Sequence, residues 1–202
     1  ILRVGAGGRV VEGADALAYF GGNGEIVANL LPAFAAAFPQ HALYLLHYRG
    51  YAGSEGEATE DDLYADALAL FDHANARHAR VIVVGRSLGS GLAVRLASAR
   101  PASRLVLVTP YDSIVGIAAE HYPLFPVSIL LKERYESYLY APLVRAPTRI
   151  IVAGNDLVIP RDSTERLYSR FAPGVASMVE VPEAAHNNVS EDPRYLGWFI
   201  AP

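Results

Sequence analysis

Residues 81–99 read VIVVGRSLGSGLAVRLASA. Four consecutive apolar, β-branched residues at 81–84 predict a strand buried on both faces. Residues 88–99 predict a helix. Between them lies GRSLG at 85–89, a GxSxG pattern. A strand that turns sharply into a helix needs small flanking residues, and Gly85 and Gly89 supply them. Such a turn lifts the Ser87 side chain above the sheet edge. It also leaves the Leu88 backbone N–H at a helix N-terminus, aimed at a developing oxyanion. GxSxG alone arises by chance. The strand–turn–helix setting is what makes Ser87 a candidate nucleophile.

The same alternation runs outward in both directions. Strands are expected at 16–20 (ALAYF), 42–46 (ALYLL), 105–108 (LVLV), 150–153 (IIVA) and 177–181. Helices are expected at 24–38, with Pro32 kinking or restarting the helix, and at 60–75, where Thr59 and Asp62 form a capping signal. A helix of about two turns follows Asp162 and Glu165, read as its cap, and a last helix covers 192–199. Continuous apolar strands spaced by helices imply an α/β fold with a mostly parallel central sheet and helices on both faces. Working residues then belong at the carboxyl ends of the strands. Residues 111–140 interrupt the pattern with Tyr111, Tyr122, Phe125, Tyr135, Tyr138 and Tyr140. That stretch is too long for a simple connection. It reads as a small helical cap insertion or as a structural excursion that packs its aromatics.

Composition narrows the function classes. The 202 residues suit one domain spanning 1–202. A net charge of −4, with Lys132 the only lysine, argues against nucleic-acid binding, which needs clustered cations. The absence of cysteine removes disulfides, thiolate metal sites and cysteine nucleophiles. No apolar run reaches the ~18 residues of a membrane span. The start at Ile1, without Met, suggests a trimmed or processed chain from which a signal or anchor was removed. The compartment stays open: a cytoplasmic setting is favoured, and an exported or membrane-tethered full-length form is the alternative. No phosphate loop is present. VGAGG at 4–8 lacks the third glycine of a dinucleotide fingerprint. His73 and His78 do not share a helix face, so neither metal nor other cofactor is expected.

A serine hydroxyl needs a base, and the base an orienting acid. Only His121 and His186 follow Ser87. His121 falls in the cap segment. His186, in EAAHNN just past the last strand, is the expected base. Asp156, directly after IIVA, is the expected acid, with Asp112, directly after LVLV, as the alternative. Asp162 is read as a helix cap. FGGNGE at 20–25 follows the first strong strand, where either Asn23 or Gly22 can offer a second oxyanion N–H. The glycine-rich YRGYAGSEG at 48–56 reads as a turn, with Arg49 and its tyrosines as possible pocket residues.

The ordered set YFGGN, YRGYAGSEG, GRSLGSG, GNDLVIP and AHNN resembles the α/β-hydrolase serine hydrolases over residues 15–199. Within them it resembles the single-domain subgroup that includes membrane-associated acyl-protein thioesterases. The resemblance implies the α/β-hydrolase fold, with Ser87 as nucleophile, Asp156 as acid, His186 as base, and Asn23 and Leu88 at the oxyanion hole. Two departures stand out: His47 where an Asp often precedes YRGY, and GGNG where GGNA is usual. Residues 1–14 leave room for little more than one of the strands that normally come first.

Two functions follow as expectations. One is an esterase or thioesterase acting on a small-molecule or acyl-bearing substrate, with an apolar acyl group suggested by the aromatic cap. The other is a catalytically silent module that kept the fold for binding.

Overall fold

The computed structural model describes residues 2–4, 15–51 and 53–201. Its centre is a seven-stranded sheet. In chain order the strands are β1 (Leu2–Val4), β2 (Ala16–Phe20), β3 (Ala42–Leu46), β4 (Val81–Arg86), β5 (Arg104–Val108), β6 (Thr148–Ala153) and β7 (Ala176–Val181). In space they run β1-β3-β2-β4-β5-β6-β7. β1 is antiparallel to β3; every other pair is parallel. Every residue of β2 and β3 is buried, as expected of strands covered on both faces. Among the described residues, β1 is the one strand that precedes β2 in the chain. The remainder of VGAGG, from Gly5 on, lies outside the described residues.

The main helices are α1 (Leu31–Ala37), α2 (Glu60–Asn75), α3 (Leu88–Ala99) and α7 (Arg161–Tyr168). One face of the sheet is covered by α2, α3, α7 and the start of the cap, through residues such as Leu63, Leu70, Leu92, Leu96, Leu167 and Tyr111. The other is covered by α1 and the C-terminal segment. There Phe34 and Phe38 meet Phe199 with ring centroids 5.9 Å apart in both cases. The Thr59 side chain accepts from Asp62 N at 3.2 Å. Three acids in the first turn add to that start of α2 by facing its positive dipole end.

Three local expectations change. The helix expected over 24–38 restarts around Pro32 as expected, but its first part is not α-helical. Gly24 adopts φ +71°, a 3-10 turn covers Val27–Leu30, and α1 starts at Leu31 with Pro32 in its first turn. The helix expected over 192–199 shrinks to a single turn, α8 (Gly197–Ile200). Asp192 Oδ1 instead accepts from Arg194 N at 2.8 Å, a local side-chain bond that competes with helix formation. Asp162 is not a cap. The N-cap is Pro160, and Asp162 lies exposed in the first turn of α7, making only a dipole contribution.

The interruption between β5 and β6 is helical. It holds α4 (Ile114–His121), α5 (Val127–Leu130), α6 (Ser137–Tyr140) and a 3-10 turn at Ala141–Leu143. Its aromatics do not act as a set. Tyr111 and Tyr135 are buried, whereas Tyr122 and Phe125 are exposed.

Candidate active site

The register of the parallel strands aligns their carboxyl ends. Phe20 pairs with Gly85, Gly85 with Leu107, and Val108 with Ile151. Three loops therefore open side by side: 21–26 after β2, the turn after β4, and the loop after β6.

Ser87 sits at the turn between β4 and α3 with φ +48° and ψ −117°. This conformation is strained for a residue with a side chain. The turn is held by Ser87 N donating to Val108 O at 2.9 Å and Gly89 N donating to Gly21 O at 3.1 Å. The flanking glycines are required by close approach. A Cβ on Gly89 would lie 2.1 Å from Phe20 O, and one on Gly85 would lie 2.4 Å from Gly89 O. A strained backbone persists only where its surroundings over-determine it, and here both neighbouring strands do so.

Ser87 Oγ lies 2.9 Å from His186 Nε2, and His186 Nδ1 lies 2.8 Å from Asp156 Oδ2. The His186 and Asp156 side chains are 8% and 7% exposed, so little water competes for these contacts. The other oxygen of Asp156, Oδ1, accepts from Val158 N and Ile159 N, each at 2.8 Å. The turn after β6 thus clamps the carboxylate and turns its free oxygen to the imidazole. Ala185 N donates to Asn188 Oδ1 at 2.7 Å, closing the loop that carries His186.

The two alternatives are placed differently. Asp112 accepts from Ser163 Oγ at 2.6 Å, Arg166 Nε at 2.7 Å and Ser113 N at 2.9 Å. It is occupied in tying the start of the cap to α7. His121 is exposed in the last turn of α4.

In the loop after β2 the two expected donors differ. Gly22 N donates to Glu25 Oε2 at 2.7 Å, so that N–H is already used. Asn23 borders the cleft beside Ser87 and Leu88. Its side chain is gripped by the Tyr51 hydroxyl, which donates to Asn23 Oδ1. Tyr51 lines the cleft from the glycine-rich 48–56 loop. Arg49 of that loop faces away, toward Asp66 at 2.6 Å and Asp62 at 3.2 Å.

The cleft has a volume of about 400 Å³. Its walls are mainly aliphatic: Ile114, Ile117, Leu131, Val158 and Ile159, with Tyr135 from the cap. Burial raises the Tyr135 phenol well above its ordinary value, so it stays neutral. The wall residues of α4 were not singled out by the sequence reading, because they sit in an apolar helix whose facing only the cap's docking sets. Two more residues escaped it: Glu25, within FGGNGE, and Arg86, within GRSLG. A second cavity of about 340 Å³ lies at the opposite end of the sheet among Asp15, His41, Arg80 and Arg104. It is remote from Ser87. Among the described residues no cluster of three or more His, Asp or Glu is arranged to hold a metal ion, and no helix is long and apolar enough to cross a membrane.

Comparison with known proteins places the fold. Residues 20–126 match the family model for the alpha/beta hydrolase fold. Protein Rv2307c of Mycobacterium tuberculosis is 37% identical over 151 residues, which cover 73% of this chain and 53% of that protein. The alpha/beta hydrolase domain-containing protein aho-3 of Caenorhabditis elegans is 31% identical over 155 residues, covering 74% of this chain and 45% of that one. The chain therefore spans about half the length of these relatives. Among solved structures, MGS-M2, an alpha/beta hydrolase enzyme from a deep-sea metagenome library, superposes with a TM-score of 0.77. It is 17% identical, covers 96% of this chain and is itself 90% covered, a likeness of fold.

Proposed function

The chain belongs to the α/β-hydrolase family, and from that premise we propose that it is a serine hydrolase cleaving a carboxylic ester or thioester through an acyl-enzyme intermediate. We read it as one catalytic domain carrying the whole site. The observation that carries this reading is the unbroken chain of contacts Ser87 Oγ–His186 Nε2–Asp156 Oδ2, at 2.9 and 2.8 Å.

In this reading Asp156 accepts from the Nδ1–H of His186 and holds the tautomer whose Nε2 is free to take a proton. Ser87 Oγ attacks the acyl carbonyl carbon while its proton passes to Nε2. The carbonyl oxygen becomes an oxyanion facing the backbone N–H groups of Asn23 and Leu88. Leu88 is the first residue of α3, so its N–H has no partner within the helix. When the intermediate collapses, the C–O or C–S bond breaks and His186 returns the proton to the leaving alcohol or thiol. Water then attacks the acyl-serine, gives its proton to His186, and releases the carboxylic acid as Ser87 regains its hydrogen.

The aliphatic walls favour an apolar acyl group. Burying one methylene is worth about 0.8 kcal/mol, so kcat/KM rises roughly four-fold per added methylene until the cleft is full. The test is labelling with a fluorophosphonate probe. The wild-type protein reacts, and Ser87→Ala does not. Failure to label, or labelling that survives Ser87→Ala, rejects the reading. p-Nitrophenyl esters and acyl thioesters of increasing length then define the substrate.

A further inference from the structure

We propose that Glu25 and Arg86 form a positioning pair that locks the donor loop and the His186 loop to the Ser87 turn. The inference rests on the serine-hydrolase reading and assigns two residues which that mechanism does not use.

Arg86 is the last residue of β4 and immediately precedes Ser87. Its NH1 donates to Glu25 Oε1 at 3.0 Å. Its NH2 lies 3.5 Å from the His186 carbonyl oxygen and 3.5 Å from Asn187 Oδ1. Glu25 Oε2 in turn accepts from Gly22 N at 2.7 Å and from the Tyr19 hydroxyl at 3.1 Å. One ion pair therefore joins three segments that the chain supplies separately. They are the loop carrying Asn23, the turn carrying Ser87, and the loop carrying His186.

Stability does not account for the pair. The two side chains are 14% and 15% exposed, and at that depth desolvation offsets much of the Coulomb attraction. Arg86 Nε is buried with no hydrogen-bond partner, which adds to the cost. What the pair does accomplish is geometric. By taking the Gly22 N–H, Glu25 fixes how the loop turns into Asn23, which borders the cleft beside Ser87. By reaching the His186 carbonyl, Arg86 sets the height of the loop from which the imidazole descends. An oxyanion donor works only at hydrogen-bond distance from where the charge develops, so a few tenths of an ångström in either loop are felt in the transition state and little in the bound substrate.

The experiment compares the parent protein with Glu25→Gln, Arg86→Met and the double variant. All are assayed on a p-nitrophenyl ester, with active sites counted by fluorophosphonate titration so that misfolded molecules drop out. Binding of a trifluoromethyl ketone, whose adduct places an oxyanion in the donor site, is measured alongside. Each single variant is expected to lose about 10–100-fold in kcat per titrated site with KM within about two-fold. Ketone affinity should fall in parallel with kcat/KM. The double variant should be no worse than the poorer single, because the two residues act as one unit. A kcat per titrated site within about two-fold of the parent in both singles overturns the proposal. Losses that multiply in the double variant, or a change confined to KM, overturn it too. If the parent protein neither reacts with the phosphonate nor turns over ester, the serine-hydrolase reading fails and takes this one with it.

Discussion

Two aspartates stand at matching places in the fold and have different surroundings. Asp112 follows β5 and Asp156 follows the adjacent parallel strand β6, each a few residues past the strand end. Asp112 is ringed by Ser163, Arg166 and the N–H of Ser113. Asp156 has two backbone N–H groups on one oxygen and His186 on the other. The first environment saturates the carboxylate with donors from the cap and α7. The second leaves one oxygen for an imidazole that also reaches a serine. A carboxylate at the carboxyl edge of a parallel sheet is thus not yet an acid in a triad. What surrounds it sets which partner it can hold.

That contrast is open to direct attack. The largest expected effect is from Asp156→Asn, which preserves shape but removes the charge that holds the His186 tautomer. kcat on a p-nitrophenyl ester should fall by roughly 10³–10⁴-fold with little change in KM. If Asp156→Asn stays near parent activity while Asp112→Asn abolishes it, the assignment reverses. A smaller effect is expected at the cleft wall built by the cap segment that Asp112 anchors. Ile117→Trp should lower kcat/KM for long acyl esters by about ten-fold and leave acetyl esters nearly unchanged, since loss of two or so buried methylenes amounts to that. Equal loss across chain lengths would mean that the acyl group does not occupy this wall.

Asp112→Asn should act on stability instead of chemistry. It weakens charge-assisted bonds to Arg166 and Ser163, worth about 1–3 kcal/mol, so Tm should drop roughly 3–10 °C while kcat per titrated site changes little. The smallest effect belongs to a third aspartate, at the far end of the sheet. Arg80 hydrogen-bonds Asp15 at 2.7 Å and holds its carboxyl below the ordinary value of 3.8. A lowered folded pKa stabilises the protein above the unfolded pKa, and that contribution disappears as pH falls through the folded value. Arg80→Met should therefore lower Tm slightly at neutral pH, and the gap should close as the pH is taken below about 4. A gap that persists in acid would mean that Arg80 stabilises by packing alone.

The legible parts of the molecule are those whose cause is local. Residues 81–84 form a strand because each is apolar and β-branched, and Gly85 and Gly89 permit a turn that any Cβ would block. The helix over Glu60–Asn75 could be read from its cap and its stripe. Expectations failed where a neighbour in space or a short local bond prevailed. The Asp192 side chain accepted from the Arg194 N–H, and the last helix is shorter. Pro160, two residues ahead of Asp162, is the N-cap of α7. The cap's aromatics suggested a greasy pocket, yet Tyr122 and Phe125 point to solvent and the cleft is walled chiefly by Ile114, Ile117 and Leu131.

The sequence by itself determined the alternating framework, the Ser87 turn and the order in which serine, aspartate and histidine occur. Each follows from periodicity, glycine placement and chain order, which are properties of the chain in one dimension. Only the tertiary structure brings Asp156, and not Asp112, to His186, and pairs the Gly22 N–H with Glu25. It alone brought Glu25 to Arg86, 61 residues apart. Those choices depend on which donors and acceptors remain unpaired once the loops are folded against one another. Pairing of that kind is a matter of distance in space, which spacing along the chain does not encode.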